Sequence, residues 1–265
     1  MLTLCASLVW LAPPCWAISE KQEVEIGQQS AATAVKKYGL VQDAKMLKRV
    51  KAISSRLIAN VKRKSITYHM GILNCKDVNA LAFPGGYYFF TKGIVELMDD
   101  EKLAFVGGHE ISHIEHRDSV KALERSQYQT IGVALLQTFV KGARSNLSKS
   151  LISMANTVVS NRYSQSQEYE ADRGGIFLMA AAGYDPYSSI DALADLQKLG
   201  GKDMSGFLNS LLSTHPITKD RIERAKKIAP EAVAQYPDSH QDEQPDEDED
   251  IDDAQADLDE SRSED

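Results

Sequence analysis

The sequence predicts an α+β fold, mostly helical, with one small antiparallel sheet packed against a central helix. Three observations lead there. Apolar residues recur at helical spacing through most of 20–228. Three short runs rich in β-branched and aromatic residues cluster between 66 and 91. The segment 106–118, VGGHEISHIEHRD, gathers three of the six histidines on what otherwise reads as an amphipathic helix.

Taken in chain order, residues 1–17 (MLTLCASLVWLAPPCWA) hold no charged side chain and end in Cys15-Trp16-Ala17, a step that a signal peptidase cuts after its alanine. We read this as a cleaved export signal. Its apolar run is much shorter than the roughly 20 residues that span a bilayer, so a retained anchor is the alternative. Two of the three cysteines lie in this leader, which leaves Cys75 without an internal disulfide partner. An exported chain of this kind fits the bacterial periplasm, with a peripheral association with the cell envelope compatible with it.

Ser19 with Gln22 forms a capping box that starts a helix running to the stop signal Gly39. A second helix covers 43–61, with Met46, Val50, Ile53, Leu57 and Ile58 on one face. Lys62, Arg63 and Lys64 follow it, where cations complement the helix dipole. Nothing here points to nucleic acid.

Runs 66–74 (ITYHMGILN), 79–83 and 87–91 (YYFFT) read as strands, the last two joined by the turn Pro84-Gly85-Gly86. Helices are then expected at 94–98, from Asp100 through the histidines, at 119–140, from 148 through 182, at 187–199 and at 218–228. No internal repeat is present. Residues 119–150 are expected to form part of a lid, because the apolar run IGVALLQTFV at 131–140 is too short to cross a membrane and must cover something.

The net charge of −8 is unevenly spread. Residues 238–265 hold 15 of the 38 acidic residues and one of the 30 basic ones, so the preceding chain is mildly basic. Such a tail has no aromatic residue and cannot bury enough surface to fold. The expected organisation is therefore a signal peptide over 1–17, a folded domain over 18–237, and a disordered acidic tail over 238–265.

His109 and His113 are four residues apart and share one helix face, so their imidazoles can grip one metal ion. The pattern His109-Glu110-Ile111-Ser112-His113 supplies two of the three protein ligands that catalytic zinc requires, with Glu110 beside them to take a proton from water. His116 shares the face, but Ser119 stands where a metzincin needs a histidine. His116 is read as a solvent-facing or capping residue. The candidate third ligand is Glu168 in SQSQEYEADRGG. Glu168 and Asp172 are four apart, so one can bind the metal while the other accepts the free ring N–H of a ligand histidine. Ala171, Gly174 and Gly175 let this helix approach the histidine helix closely.

The motifs NALAFPGG (79–86), GGHEISH (107–113), EYEADRGG (168–175) and THPITKDRI (214–222) occur in the order found in metallopeptidase family 48. The chain resembles these gluzincins, which include the HtpX-type quality-control proteases and the prenyl-protein endopeptidases. The resemblance covers roughly Glu20 to Pro230 and is nearest to small exported bacterial members. It implies a zincin-like fold, one zinc per chain on His109, His113 and Glu168, Glu110 as general base, and support from Asp172. It also implies that His215 and Arg221 face the metal, where they stabilise the oxyanion or, for the histidine, reversibly cover the zinc. Thr214-His215-Pro216 reads equally as a helix start.

Two departures from the family pattern, Gln165 and the pair Arg117-Asp118, are expected not to touch the ligands. Implied substrates are unfolded or misassembled envelope polypeptides, held along a strand within 79–91. A periplasmic chaperone or binding protein that keeps zinc as a structural or latent site is the alternative.

Overall fold

A computed structural model describes residues 17–125, 163–200 and 214–237. The body of the leader, most of the expected lid and the acidic tail lie outside these residues.

Seven α-helices and three strands are bounded among the described residues: α1 (Glu20–Tyr38), α2 (Ala44–Ala59), β1 (His69–Leu73), β2 (Ala80–Ala82), β3 (Tyr87–Thr91), α3 (Lys92–Leu97), α4 (Asp100–Glu115), α5 (Gln165–Ala181), α6 (Ser188–Gly200) and α7 (Lys219–Gln235). A further helical stretch covers 118–125. The α+β reading with a predominance of helix holds.

Local chemistry fixes the helix starts. Ser19 and Gln22 form both arms of a capping box on α1, and Gly39 ends that helix with φ 71°. Asp43, Asp99 and Thr218 cap α2, α4 and α7 through side-chain oxygens that accept a backbone N–H three residues on. Ser164 and Gln167 form a second capping box, so α5 begins afresh at Gln165 and does not continue a helix from 148. Helix α7 runs past Pro230 to Gln235, beyond the expected end at 228. Ala229 and Ala232 are fully buried there, and that packing offsets the bond the proline removes.

The sheet is small, as expected, but mixed and not antiparallel throughout. β2 and β3 form the expected antiparallel pair, with Leu81 opposite Phe89. β1 pairs with the other side of β3 in parallel, with Gly71 opposite Phe89. The order β1-β3-β2 puts β3 in the centre and β2 on an edge. The turn between β2 and β3 needs Gly85 and Gly86, whose φ values are 72° and 104°.

β3 is buried on both faces. Tyr88 and Phe90 join the main core with α2, α4, α5 and α6, while Tyr87 and Phe89 join a second cluster beside α1. The sheet thus separates two layers of helix, and α4 lies deep, with every residue from Leu103 to Ile114 buried.

Helices α4 and α5 make the closest packing. A Cβ on Gly108 would lie 2.9 Å from the Gly175 carbonyl oxygen, and one on Gly175 would lie 2.7 Å from the His109 nitrogen. The two backbones touch because neither residue has a side chain. That contact sets how near α5 can bring its carboxylates to the histidines.

Candidate metal centre

Four side chains converge where α4, α5 and the segment before α7 meet. His109, His113, Glu168 and His215 are all buried, and one donor atom from each lies within 4.8 Å of the others. His109 Nε2 is 3.1 Å from His113 Nε2 and 3.3 Å from His215 Nδ1. Glu168 Oε1 is 2.9 Å from His215 Nδ1 and 3.6 Å from His113 Nε2, and its Oε2 is 3.7 Å from His109 Nε2.

These spacings test whether a zinc ion fits. A tetrahedral ion with ligands at about 2.0–2.1 Å has ligand–ligand edges of about 3.3 Å, in the middle of the observed range. Two imidazoles, a carboxylate and a further imidazole are also a donor set suited to zinc. The residues fit the ion.

The charge around the cluster agrees. Glu110, Asp118, Glu168 and Asp172 are buried carboxylates, against one buried guanidinium, Arg221. Burial alone would push the His113 imidazole down, but Asp118 and Glu168 outweigh it and push its pKa up to about 9. Burial holds His109 below its usual value. Burial opposes ionisation of Glu168, yet the imidazoles of His215 and His113 keep it well below the usual carboxylate range. The pocket is built to hold positive charge.

Each ligand has a partner that aims it. His109 Nδ1 lies 3.1 Å from Asp172 Oδ1. Arg221 grips Asp172 with two bonds, Nε to Oδ2 at 2.7 Å and Nη2 to Oδ1 at 2.6 Å, and its Nη1 lies 2.6 Å from Glu168 Oε2. The guanidinium is thus directed at carboxylates, a placement that differs from the oxyanion-facing one the resemblance implied. Burial opposes ionisation of Asp172, but Arg221 more than compensates and holds its pKa low.

Glu110 is 1% exposed. Its Oε1 lies 3.8 Å from His215 Nε2, and its Oε2 has no hydrogen-bond partner among the described residues. His116 is the C-cap of α4, with its Nδ1 3.5 Å from Ser112 Oγ, and stands outside the cluster as expected. Gln165 turns to Tyr169 and also stays away.

Asp118 does not stay away. Its Oδ2 lies 2.8 Å from His113 Nδ1, with both side chains fully buried, so the expectation that the Arg117-Asp118 departure leaves the ligands untouched is corrected. Arg117 has φ 55°, which turns the chain back after α4 and swings the next residue under the histidine. Tyr163 was not anticipated either. Its ring stacks on His113 with centroids 3.9 Å apart and an 11° interplanar angle, and its hydroxyl is 2.9 Å from Ser119 Oγ. A carboxylate five positions after the second histidine could have been flagged, but no sequence signal marks Tyr163.

With this geometry in hand, comparison with known proteins is specific. The model of peptidase family M48 matches residues 44–229. The beta-barrel assembly-enhancing protease of Yersinia pestis is 29% identical over 224 residues, 80% of this chain and 45% of that protein. Metalloprotease YcaL of Escherichia coli (strain K12) is 25% identical over 205 residues, 77% of this chain and 74% of the relative. The mitochondrial metalloendopeptidase OMA1 of Arabidopsis thaliana is 30% identical over 159 residues, 60% and 31% respectively. The chain therefore spans about half the length of the beta-barrel assembly-enhancing proteases it matches. The family match covers more than two thirds of the sequence and includes all the converging residues, and the chain belongs to peptidase family M48.

Proposed function

We propose that the protein is a periplasmic zinc endopeptidase that hydrolyses peptide bonds of unfolded or misassembled envelope proteins. His109, His113 and Glu168 hold the metal. Bound there, zinc supplies a Lewis acid that polarises a carbonyl and makes water acidic enough for a carboxylate base. Glu110 takes the proton from the attacking water and delivers it to the leaving amine. Asp172 and Asp118 fix the ring orientation of His109 and His113. Arg221 acts through Asp172 and Glu168 as a positioning residue.

The extended substrate adds to the free edge of β2. Asn79 and Phe83 bond towards β3, through Thr91 N–H to Asn79 O and Phe83 N–H to Tyr87 O. By the alternation of antiparallel ladders, Ala80 and Ala82 turn their backbone groups outward. The Ala80 N–H is taken by Asn79 Oδ1, which among the described residues leaves the Ala80 carbonyl and both Ala82 groups for a peptide.

Glu110 carries this reading. A buried carboxylate with an unpartnered oxygen beside a metal-binding cluster is what proton transfer needs, and a metal held only as a clasp has no use for it. Glu110→Gln should keep zinc by elemental analysis and lose about 10²–10⁴-fold in peptide turnover, in line with the weight of a general base. Undiminished turnover would overturn the assignment.

His215 favours a second reading. As a fourth protein donor within reach of the other three it would complete a four-ligand set, as in structural zinc sites, and this suits a binding protein or a latent site. For a latent enzyme, His215→Ala should keep zinc and cleave faster. Loss of zinc would favour the structural clasp, and slower cleavage with zinc retained would make His215 an oxyanion donor.

A further inference from the structure

One residue ahead of α1 is clamped at both ends of its backbone. The Ile18 N–H donates to Glu124 Oε1 at 2.9 Å, and its carbonyl accepts from Arg117 Nη2 at 2.7 Å. The side chain is 7% exposed and belongs to the cluster that includes Val120 and Leu123. Ala17, one residue earlier, is exposed. The contrast puts a boundary between an accessible residue and a fixed one.

The chemistry of Glu124 gives that boundary a meaning. A carboxylate already makes a charge-assisted bond to a neutral amide N–H, and an ammonium in the same place adds the opposite full charge. An α-amino group with pKa of about 7.7–8.0 is largely protonated at neutral pH. The bond before Ile18 follows Ala17, with Cys15 two residues further back, the small-residue pattern that leader-removing peptidases accept.

We propose that the Ala17–Ile18 peptide bond is a processing site, and that the ammonium it creates on Ile18 pairs with Glu124 to lock the segment 117–124 against the metal centre. Hydrolysis adds one water across the bond, leaving a carboxylate on Ala17 and an amine on Ile18 that takes up one proton. No other reactant is needed.

The locked segment reaches the histidines by short steps. Arg117, which holds the Ile18 carbonyl, precedes Asp118, whose carboxylate aims His113. Ser119 follows, with its hydroxyl on Tyr163, and Tyr163 stacks on the His113 ring. Removal of the leader thereby tightens the support of a metal ligand. Before the cut, Glu124 faces an amide and the segment is held less firmly.

Two forms of the protein test this, one beginning at Ile18 and one retaining Ala17, each released from a cleavable fusion. Retaining Ala17 displaces the ammonium by one residue and leaves every side chain in place. The Ile18 form should melt about 2–4 °C higher, the shift that roughly 1 kcal/mol gives in a domain of this size. It should also release zinc to a chelator more slowly. Glu124→Gln should remove most of the difference between the two forms. The chain recovered from cells that export the full 265-residue precursor should begin at Ile18 by N-terminal sequencing.

A different first residue would overturn the processing site. Equal melting of the two forms, or an equal loss in both on Glu124→Gln, would overturn the ion pair. Neither melting nor N-terminal sequencing depends on peptidase activity, so a failed cleavage assay would count against the proposed function alone.

Discussion

Two ion networks flank the C-terminal half of α4, and they differ in charge balance. On one side, buried Glu23 takes bonds from both arms of Arg63, at 2.7 and 3.0 Å, and from Arg117 Nε at 2.7 Å, while Glu20 shares the Nη2 arm of Arg63 at 3.1 Å. Two carboxylates meet two guanidinium groups. On the other side, the four carboxylates around His109 and His113 meet one buried guanidinium, Arg221, and one exposed ammonium, Lys121, 3.5 Å from Asp118. Both networks have good hydrogen-bond geometry, so pairing alone does not tell structure from function. The unmatched charge does, because uncompensated buried charge is costly and a divalent cation removes most of it.

The largest effect that would break this comparison belongs to Glu168. Glu168→Ala removes a metal donor and leaves Arg221 with one carboxylate fewer, and it should abolish zinc binding by elemental analysis. His116→Ala, one turn beyond His113 but outside the cluster, should keep a full equivalent. Zinc retained at full occupancy in Glu168→Ala would end the ligand assignment.

A smaller effect is expected from the residues that aim the ligands. Asp118→Ala frees the His113 ring on its Nδ1 side and should weaken zinc binding by about 10–100-fold, the usual range for a ligand's hydrogen-bond partner. Chelator competition measures it. An unchanged affinity would mean that stacking on Tyr163 suffices to hold the ring.

These two variants also mark where the sequence was legible. His109, His113, Glu168 and Asp172 could be read because helical spacing of four residues fixes relative position before any tertiary contact exists. The capping signal at Ser19 was readable for the same reason. The equally local Ser164–Gln167 box was absorbed into a longer helical pattern. Asp118 depended on the backbone turn at Arg117, a positive φ in a residue type that rarely adopts one, and Tyr163 depended on how α5 docks. The parallel pairing of β1 with β3 was equally hidden, because the tight turn at Pro84 specifies only the antiparallel neighbour. Arg221 shows the same limit, since its motif placed it near the metal but not which way its donors point.

The balanced network should yield the smallest effect and one of a different kind, on stability and not on zinc. Burial opposes ionisation of Glu23, but Arg63 and Arg117 together hold its pKa below the usual carboxylate range. A group depressed in this way stabilises the fold above its unfolded pKa, and the contribution fades as pH falls through the lower folded value. Glu23→Gln should therefore destabilise the domain by about 2 kcal/mol at neutral pH, reduced from the fully buried case because Arg63 and Arg117 are partly solvated. As the medium is acidified below the ordinary glutamate range, the parent should lose stability faster than the variant until the two denaturation curves approach each other. Zinc content should not change at neutral pH. A variant that lost zinc would show that the two networks are coupled through Arg117 and Asp118, and the division between a balanced, structural network and an unbalanced, metal-holding one would fail at that pair.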